Sequence, residues 1–352
     1  MVKKTLKVSI MSPLNFITNF KKQLVHFICY PALVLLLTFL SFNLYAKNED
    51  GQVREYWIAA EKVQWDFAPG GKNLIRPKNG LGEWGKKTSY SKYRYIQYTD
   101  STYTRRVPQP EWMGILGPQL RAEVGDTFKI NFKNKADKPL SMHPHGMLYT
   151  EDNDGADMRG LGGVIKPQSS YTYTWEVDED AGPGPQDPSS IVWVYHSHVN
   201  PVQEIYDGLI GSIVITRKGM ARSKNDPRPK DVDAAFTALF FVFDEENGEE
   251  GGLMHGINGY IFGNLSGLEA TKGDNVRWHL LGMGTEIDIH TAHWHGETVL
   301  NAGRRTDVIN LMPSTMVSVT MKTDNVGEWL FHCHVTDHVA AGMITRWKIL
   351  PP

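Results

Sequence analysis

Alternation of apolar and polar side chains is the dominant pattern in the chain after residue 50. Runs at residues 127–132, 171–175 and 316–321 alternate with a period of two, which is typical of half-buried β-strands. Gly, Pro, Asn and Asp separate such runs, and strong helical patterns are scarce. We therefore predict an all-β protein built from β-sandwich or barrel domains.

The N-terminal segment follows a different pattern. Residues 1–26 carry five lysines and no acidic residue, and an apolar run at residues 27–45 follows before Ala46. This order predicts a signal peptide at residues 1–46. The segment has no twin-arginine pair, so we expect the general secretory route and a periplasmic or extracellular protein. The alternatives are a signal-anchored form and translation from Met11.

An internal repeat divides the rest of the chain into two halves. Three features recur in the same order: a Gly-Asp pair that opens a strand, a His-x-His-Gly motif and a second His-x-His motif. They fall at residues 125–126, 143–146 and 196–198, and again at residues 273–274, 293–296 and 332–334. We predict one domain at residues 52–217 (the first half), a linker at 218–231 and a second domain at 232–352 (the second half).

Composition narrows the function. The 37 basic and 39 acidic residues nearly balance, which argues against a nucleic-acid-binding protein. Two cysteines exclude a disulfide-dense scaffold and any four-cysteine metal site, and removal of the signal peptide would leave only Cys333. Thirteen histidines are unusual, and ten of them fall in four short clusters.

The paired histidines predict a metal site with more than one ion. Side chains two residues apart on a strand point to the same face, so each His-x-His motif aims two imidazoles at one place. Imidazole-rich sites without carboxylates suit copper or zinc. Eight paired histidines exceed the needs of one zinc ion, which favours a multinuclear site.

The surroundings of Cys333 predict a separate copper site. His338 follows five residues later and Met343 ten residues later, and these ligand types with a distant second histidine are typical of blue-copper sites. His290 is the candidate for that second histidine.

The first half lacks these four ligands. Aligning the repeats places Leu140 at the position of His290 and Ser197 at that of Cys333. It places Val202 at the position of His338 and Leu209 at that of Met343. We therefore expect a blue copper only in the second half, and one part of the histidine-only site in each half.

These motifs resemble those of the multicopper oxidases. The stretches at residues 111–118, 121–126, 258–265 and 332–343 are similar to the ceruloplasmin and hephaestin branch, and the resemblance covers most of residues 53–350. It implies two cupredoxin-like Greek-key β-sandwich or barrel domains. It also implies one-electron substrate oxidations coupled to four-electron reduction of O2 to water.

The resemblance also implies four copper ions per active unit: one of type 1, one of type 2 and two of type 3. Type 1 copper would be held by His290, Cys333, His338 and Met343, type 2 by His143 and His293, and type 3 by His145, His196, His198, His295, His332 and His334. Electrons would pass from the type 1 copper through Cys333 into its covalent neighbours His332 and His334.

The assembly follows from the same resemblance, which implies a ring of six cupredoxin domains. A two-domain chain would complete the ring as a homotrimer with a head-to-tail interface. The trinuclear copper cluster would then lie between the first half of one subunit and the second half of the next. The alternative is an intramolecular cluster in a monomer.

The substrate is predicted from an acidic stretch at residues 244–250. Such charge runs are usually solvated surface, but the resemblance implies an Fe(II) site that uses Glu250, His255 and Asp337 beside the type 1 copper. A ferroxidase is therefore the leading hypothesis.

Other functions remain open from the sequence. The first alternative is a laccase-like oxidase of phenols or aromatic amines, and Cu(I) oxidation ranks below it because no methionine-rich tract is present. A copper electron-transfer protein without oxidase turnover belongs to a different class, but electron transfer would need only the type 1 ligands. A copper nitrite reductase would not need the full set of paired histidines.

Overall fold

The computed structural model describes residues 51–156 and 158–352, and the predicted signal peptide lies outside these residues. In the described part of the chain, strands carry the fold and the α-helices are short. The prediction of an all-β protein is confirmed. No helix within residues 51–352, as far as they are described, is long and apolar enough to cross a membrane.

The first half forms two four-stranded sheets. One contains β1 (Val53–Asp66), β2 (Ser89–Tyr98), β4 (Thr127–Asn134) and β6 (Ser170–Glu176), in the order β2-β1-β4-β6. The other contains β3 (Leu120–Glu123), β5 (His143–Pro144), β7 (Ser190–His196) and β8 (Ile210–Thr216), in the order β3-β8-β7-β5.

The second half repeats this plan with larger sheets. One contains β11 (Ala234–Asp244), β12 (Leu253–Ile257), β14 (Asn275–Gly282), β16 (Val299–Asn301), β17 (Arg304–Thr306) and β19 (Thr315–Lys322), in the order β12-β11-β14-β19-β16-β17. The other contains β13 (Glu269–Thr271), β15 (His290–Trp294), β18 (Val308–Leu311), β20 (Gly327–Cys333) and β21 (Ile344–Leu350), in the order β13-β21-β20-β15-β18.

Short elements connect the sheets. A hairpin of β9 (Ala221–Ser223) and β10 (Asp226–Pro229) lies in the predicted linker. The helices α1 (Pro201–Tyr206) and α2 (Thr336–Ala340) follow the second His-x-His motif of each half. The 3-10 turns are Pro77–Asn79, Gly82–Gly85, Glu111–Met113, Glu151–Asn153 and Glu250–Gly252.

Three apolar cores hold these sheets together. One lies within each half, and a third contains side chains of both halves. Side chains alternate between faces along a strand, so Ile213 of β8 packs in the first-half core and Val214 in the shared core. On β11, Phe240 packs in the second-half core and Phe241 in the shared core.

The domain boundaries stay a prediction. Each of the four larger sheets draws its strands from one half only. Residues 51–352 nevertheless form one compact unit by their contacts, and the shared core explains why the halves do not separate.

A glycine ends each His-x-His-Gly motif for a steric reason. Gly146 and Gly296 have φ values of +72° and +77°, which L side chains rarely adopt. A Cβ on Gly146 would also collide with the ring of Trp193, and one on Gly296 with the ring of Trp329. The glycine therefore lets the chain turn closely past a tryptophan directly after the two histidines.

Candidate metal centres

Four histidines of the first half form one group, here called the first histidine cluster: His143, His145, His196 and His198. Antiparallel pairing of β5 with β7 sets His143 opposite His196, and the alternation of side chains brings the other two to the same face. Ring centroids within the cluster lie 5.2 to 5.6 Å apart. The Nε2 atoms of His145 and His196 are 3.1 Å apart.

The second half builds the same arrangement, here called the second histidine cluster: His293, His295, His332 and His334. Pairing of β15 with β20 sets His293 opposite His332. Ring centroids lie 5.0 to 5.7 Å apart, and the Nε2 atoms of His295 and His332 are 3.0 Å apart. The repeat seen in the sequence is therefore a repeat of geometry.

In each histidine cluster, one imidazole contacts a backbone carbonyl through its Nδ1 atom. His143 Nδ1 lies 2.7 Å from the carbonyl oxygen of Asp154, and His293 Nδ1 lies 3.0 Å from that of Asp307. A carbonyl can only accept, so Nδ1 carries the proton and Nε2 keeps its lone pair. Such outer contacts fix the tautomer of histidines that bind metals.

Burial favours the neutral form of four imidazoles, those of His145, His196, His295 and His332. It lowers the pKa of His145 to about 4 and that of His196 to about 3, in spite of an opposing hydrogen bond from His196 to the following carbonyl. Burial also lowers the pKa values of His295 and His332. Metals bind neutral imidazole, so these side chains are suited to act as ligands at neutral pH.

The two histidine clusters form separate groups of ligand atoms in the described part of the chain. Among the described residues, three groups of candidate ligand atoms lie within 4.8 Å of one another, and no group combines histidines of both clusters. His334 is exposed, and His143, His145 and His198 are only partly buried. Each cluster thus presents imidazoles at the surface of its own half.

A third group, here called the cysteine site, contains His290, Cys333, His338 and Met343. Three of these side chains are fully buried and His338 is 8% exposed. His338 Nδ1 lies 3.1 Å from His290 Nδ1 and 3.8 Å from Cys333 Sγ. Helix α2 turns His338 back towards Cys333, and Met343 packs with Cys333 in the second-half core.

The cysteine is prepared as an anionic ligand. Burial raises the pKa of the Cys333 thiol, but the nearby imidazoles of His290 and His338 and the hydrogen bonds from the N–H groups of Thr291 and Val335 outweigh it and lower the pKa to about 6. The thiolate is the metal-binding form of cysteine. Two imidazoles, one thiolate and a thioether form a donor set that fits copper.

The first half contains a corresponding pocket without these ligands, here called the serine pocket. Ser197 donates its N–H to the carbonyl of Leu209 at 3.1 Å, and Cys333 donates its N–H to the carbonyl of Met343 at 3.0 Å. The predicted equivalence of these two pairs agrees with the backbone hydrogen bonds. Leu140 is fully buried and occupies the position that corresponds to His290.

The equivalent of His338 is Glu204, and the sequence-based alignment with Val202 is wrong. Leu209 donates its N–H to the carbonyl of Glu204 at 2.9 Å, as Met343 does to the carbonyl of His338 at 2.9 Å. Glu204 is 2% exposed, whereas Val202 is 63% exposed. Glu204 lies seven residues after Ser197, whereas His338 lies five residues after Cys333, so counting five residues forward from the serine selects the wrong residue.

The structure places one of the three predicted iron ligands beside the cysteine site. The ring of His255 lies 5.1 Å from the ring of His338, and burial lowers the pKa of His255 to about 4. Glu250 and Asp337 are exposed. In the described part of the chain, Glu250, His255 and Asp337 do not form one of the groups whose candidate ligand atoms all lie within 4.8 Å.

Sequence reasoning did not find Asp288, which contacts a ligand of the cysteine site. Its side chain is fully buried, and its Oδ1 lies 3.1 Å from His290 Nε2. The signal was available, because an aspartate two residues before His290 points to the same face of an extended chain.

Comparisons with known proteins agree with this arrangement. Multicopper oxidase family models match residues 96–219 and 229–352. Hephaestin of Mus musculus is 36% identical over 354 residues, which cover 88% of this chain and 30% of hephaestin. Ceruloplasmin of Homo sapiens is 38% identical over 338 residues, which cover 84% of this chain and 31% of ceruloplasmin. "Ferroxidase HEPHL1" of Homo sapiens is 36% identical over 361 residues, which cover 90% of this chain and 30% of that protein. The chain thus spans about a third of the length of these relatives.

Solved structures share the fold. A multicopper oxidase crystal structure aligns with a TM-score of 0.60 and 22% identity, over 86% of this chain and 92% of that one. The blue copper oxidase of Nitrosomonas europaea aligns with a TM-score of 0.59 and 20% identity, over 85% of this chain and 86% of that one. At such identities the match describes the fold alone, which is cupredoxin-like.

Proposed function

The chain belongs to the multicopper oxidase family, in the branch of ceruloplasmin and hephaestin, and we propose that it is a ferroxidase that oxidises Fe(II) with O2 as the electron acceptor. The cofactors of this family are copper ions of types 1, 2 and 3. Bound copper would supply one-electron oxidation of the reductant and four-electron reduction of O2 to water. The observation that carries the proposal is the contact between His255 and His338 beside the cysteine site.

The donor geometry supports an assignment of ligands. The cysteine site would hold type 1 copper, because its thiolate and imidazoles are buried and converge. The family resemblance assigns type 2 copper to His143 and His293, and the Nδ1 atom of each contacts an aspartate carbonyl, which leaves Nε2 for the metal. The other six histidines of the two clusters would hold the type 3 pair.

The chain connects the cysteine site to the second histidine cluster by covalent bonds. Cys333 lies between His332 and His334 at the end of β20. Neighbouring residues on an extended chain point to opposite faces, so the thiol faces the core while both imidazoles face the cluster. This alternation explains why a His-Cys-His sequence serves two metal sites at once.

The acidic loop at residues 244–250 is held in place by side chains of the first half. Lys92 of β2 is buried and forms an ion pair with Glu245. Tyr90 of β2 donates its hydroxyl to Glu246 at 3.2 Å. These contacts support a fixed position for the loop, from which the exposed carboxylate of Glu250 faces solvent. Hard carboxylate oxygens favour Fe(II) and stabilise the Fe(III) product more strongly.

The test compares two reductants. Replacing Glu250 and Asp337 by alanine should raise KM for Fe(II) by about tenfold or more and change KM for a bulky phenol by less than about twofold, because only iron uses the carboxylates. Glu249→Ala is the matched control, since it removes a neighbouring exposed carboxylate. Equal effects on both reductants would remove the ferroxidase proposal.

A laccase-like oxidase is the second candidate, because an apolar cavity lies near the cysteine site. Its volume is about 490 Å³, and Trp84, Phe262, Val339 and Ala340 contribute to its lining. The last two follow His338 directly on α2. A phenol or aromatic amine would fit such a cavity. A higher kcat/KM for the phenol than for Fe(II) in the comparison above would favour this function.

We propose that a homotrimer brings the two histidine clusters together. Each cluster offers four imidazoles, no group of close ligand atoms among the described residues combines the two, and the full set of eight would assemble if the first cluster of one subunit met the second cluster of the next. A head-to-tail interface that closes produces a ring. Sedimentation of the copper-loaded enzyme should therefore give three times the mass of one chain. An active particle of single-chain mass that retains its copper would contradict the trimer.

Export is proposed from the sequence alone. The signal peptide at residues 1–46 would direct the chain to the periplasm or the extracellular space. N-terminal sequencing of the mature protein should begin at Lys47. An intact N-terminus on membrane-bound protein would instead support the signal-anchored form.

A further inference from the structure

We propose that Asp288 is a positioning residue that fixes the orientation of His290 and favours the oxidised state of the metal in the cysteine site. This inference rests on the proposed type 1 copper. Asp288 contacts the imidazole of His290 and is not itself proposed as a metal ligand.

The contacts of Asp288 define the proton position on His290. Asp288 Oδ1 accepts the N–H of Val242 at 2.8 Å, and Oδ2 accepts the N–H of Thr285 at 2.9 Å. The third partner is His290 Nε2, at 3.1 Å from Oδ1. A carboxylate accepts and does not donate, so Nε2 carries the proton. Nδ1 is left with its lone pair, directed towards His338 Nδ1.

The burial of Asp288 makes this contact strong. Its side chain is fully buried, as is that of His290, and a hydrogen bond is stronger in such a water-free surrounding. A carboxylate behind a metal-binding imidazole makes the imidazole more basic. A more basic ligand stabilises Cu(II) more than Cu(I).

Asp288 also connects His290 to the strand that faces the proposed iron ligand. Parallel pairing of β11 with β14 ends at Phe240 and Gly282, and Asp288 binds the N–H of Val242 just beyond that point. Val242 lies opposite His255 in the pairing of β11 with β12. One carboxylate therefore links His290 to β11, the strand that pairs with the strand of His255.

The first half lacks this residue together with the histidine. Leu140 replaces His290, and the residue two positions earlier is Lys138, which forms an ion pair with Asp207. The carboxylate is thus present in the half that has an imidazole to position, and absent where a leucine fills the pocket.

The experiment is a redox titration of copper-loaded Asp288→Asn, followed by the blue absorption. At the solution potential where the natural enzyme is half reduced, the ratio of reduced to oxidised copper should be about tenfold higher in the variant, since loss of an outer-shell partner changes metal affinity by about 10- to 100-fold. Asp274→Asn is the matched control, because Asp274 also accepts a backbone N–H, from Thr271 at 2.8 Å, but lies away from the site. Its ratio should stay within about twofold of the natural enzyme.

A variant that keeps its full copper content and shows an unchanged ratio would overturn the inference. If Asp288→Asn does not fold, NMR of the Cu(I)-loaded natural enzyme with ¹⁵N-labelled histidine decides instead. The Nε2 proton of His290 should exchange slowly with water, and exchange as fast as that of surface histidines would overturn the inference. A natural enzyme without blue absorption would instead contradict the proposed function itself, so the two failures are distinguishable.

Discussion

The cysteine site and the serine pocket share two backbone hydrogen bonds but carry different side chains. In both, an N–H from the second His-x-His motif binds the carbonyl of the residue before the last strand of the half. The cysteine site adds two imidazoles, a thiol and a thioether, whereas the serine pocket contains Leu140, Ser197, Glu204 and Leu209. The fold alone therefore does not supply the donor set for copper, which depends on four side chains.

The histidine clusters show the opposite behaviour. Both halves keep all four histidines, and the separations of the Nε2 atoms in the closest pairs, 3.1 and 3.0 Å, nearly coincide. The proposed site completed by both halves would explain this difference, because loss of either cluster would remove half of its ligands. The proposed electron-accepting copper at the cysteine site would be needed only once.

The largest effect should follow Cys333→Ser, which introduces in the second half the serine that the first half has at the equivalent position, Ser197. The variant should lose the intense blue absorption, and oxidase activity should fall by more than about a hundredfold, because the thiolate ligand is gone while both histidine clusters remain. Absorption spectra and O2 consumption measure the two effects. Ser197→Cys is the control and should add no second blue band, since its pocket lacks the other ligands. A blue Cys333→Ser protein would refute the type 1 assignment.

The reverse change should create a second site. Leu140→His, Ser197→Cys, Glu204→His and Leu209→Met together would give the first half the ligands of the second. If the backbones are equivalent, blue absorption per chain should rise by about twofold. The triple variant that keeps Ser197 is the control and should show no increase. A folded quadruple variant without additional blue copper would show that the two pockets differ in more than these side chains.

A smaller effect is expected at a matched position outside the metal sites. His279 of β14 and Asn131 of β4 both lie five residues after the Gly-Asp pair that precedes their strand. Burial, together with the charges of Arg277 and Arg121, lowers the pKa of His279 well below 6.5. The unfolded chain binds a proton at His279 near pH 6.5 and the folded chain does not, so acid favours unfolding below that pH.

His279→Asn should remove this contribution. The free energy of unfolding of the copper-free protein should decrease less steeply below pH 6.5, by up to about 1.4 kcal/mol per pH unit. Urea unfolding at pH 8, 6 and 5 measures the slope, and the pH 8 value corrects for any change in packing. Parallel curves for the two proteins below pH 6.5 would contradict the buried neutral imidazole.

The sequence was sufficient to predict site residues whose arrangement depends on local spacing along a strand. Alternation along strands brings His143 and His145 to one face, and the same rule applies to His332 and His334. The repeat also identified Ser197 and Leu209 correctly, because both lie next to recognisable motifs.

The sequence was insufficient where an insertion or a long-range contact decides. Glu204 was missed because two extra residues between Ser197 and Glu204 shift the count. The spacing of Asp288 from His290 was a usable signal, but its contact with the N–H of Val242 forms only when β11 packs beside the loop before β15. The grouping of Glu250 with Asp337 also depends on the position of an exposed turn, which spacing does not define.

Subunit mixing tests most directly whether each half supplies one part of a shared cluster. His145→Ala damages the first histidine cluster and His295→Ala the second, so each variant alone should be inactive. In randomly mixed trimers, about a quarter of the interfaces would join two intact clusters from different subunits. Coexpression of the two variants should therefore restore about a quarter of the natural activity. Mixed trimers that remain as inactive as either variant alone would contradict a cluster shared between subunits.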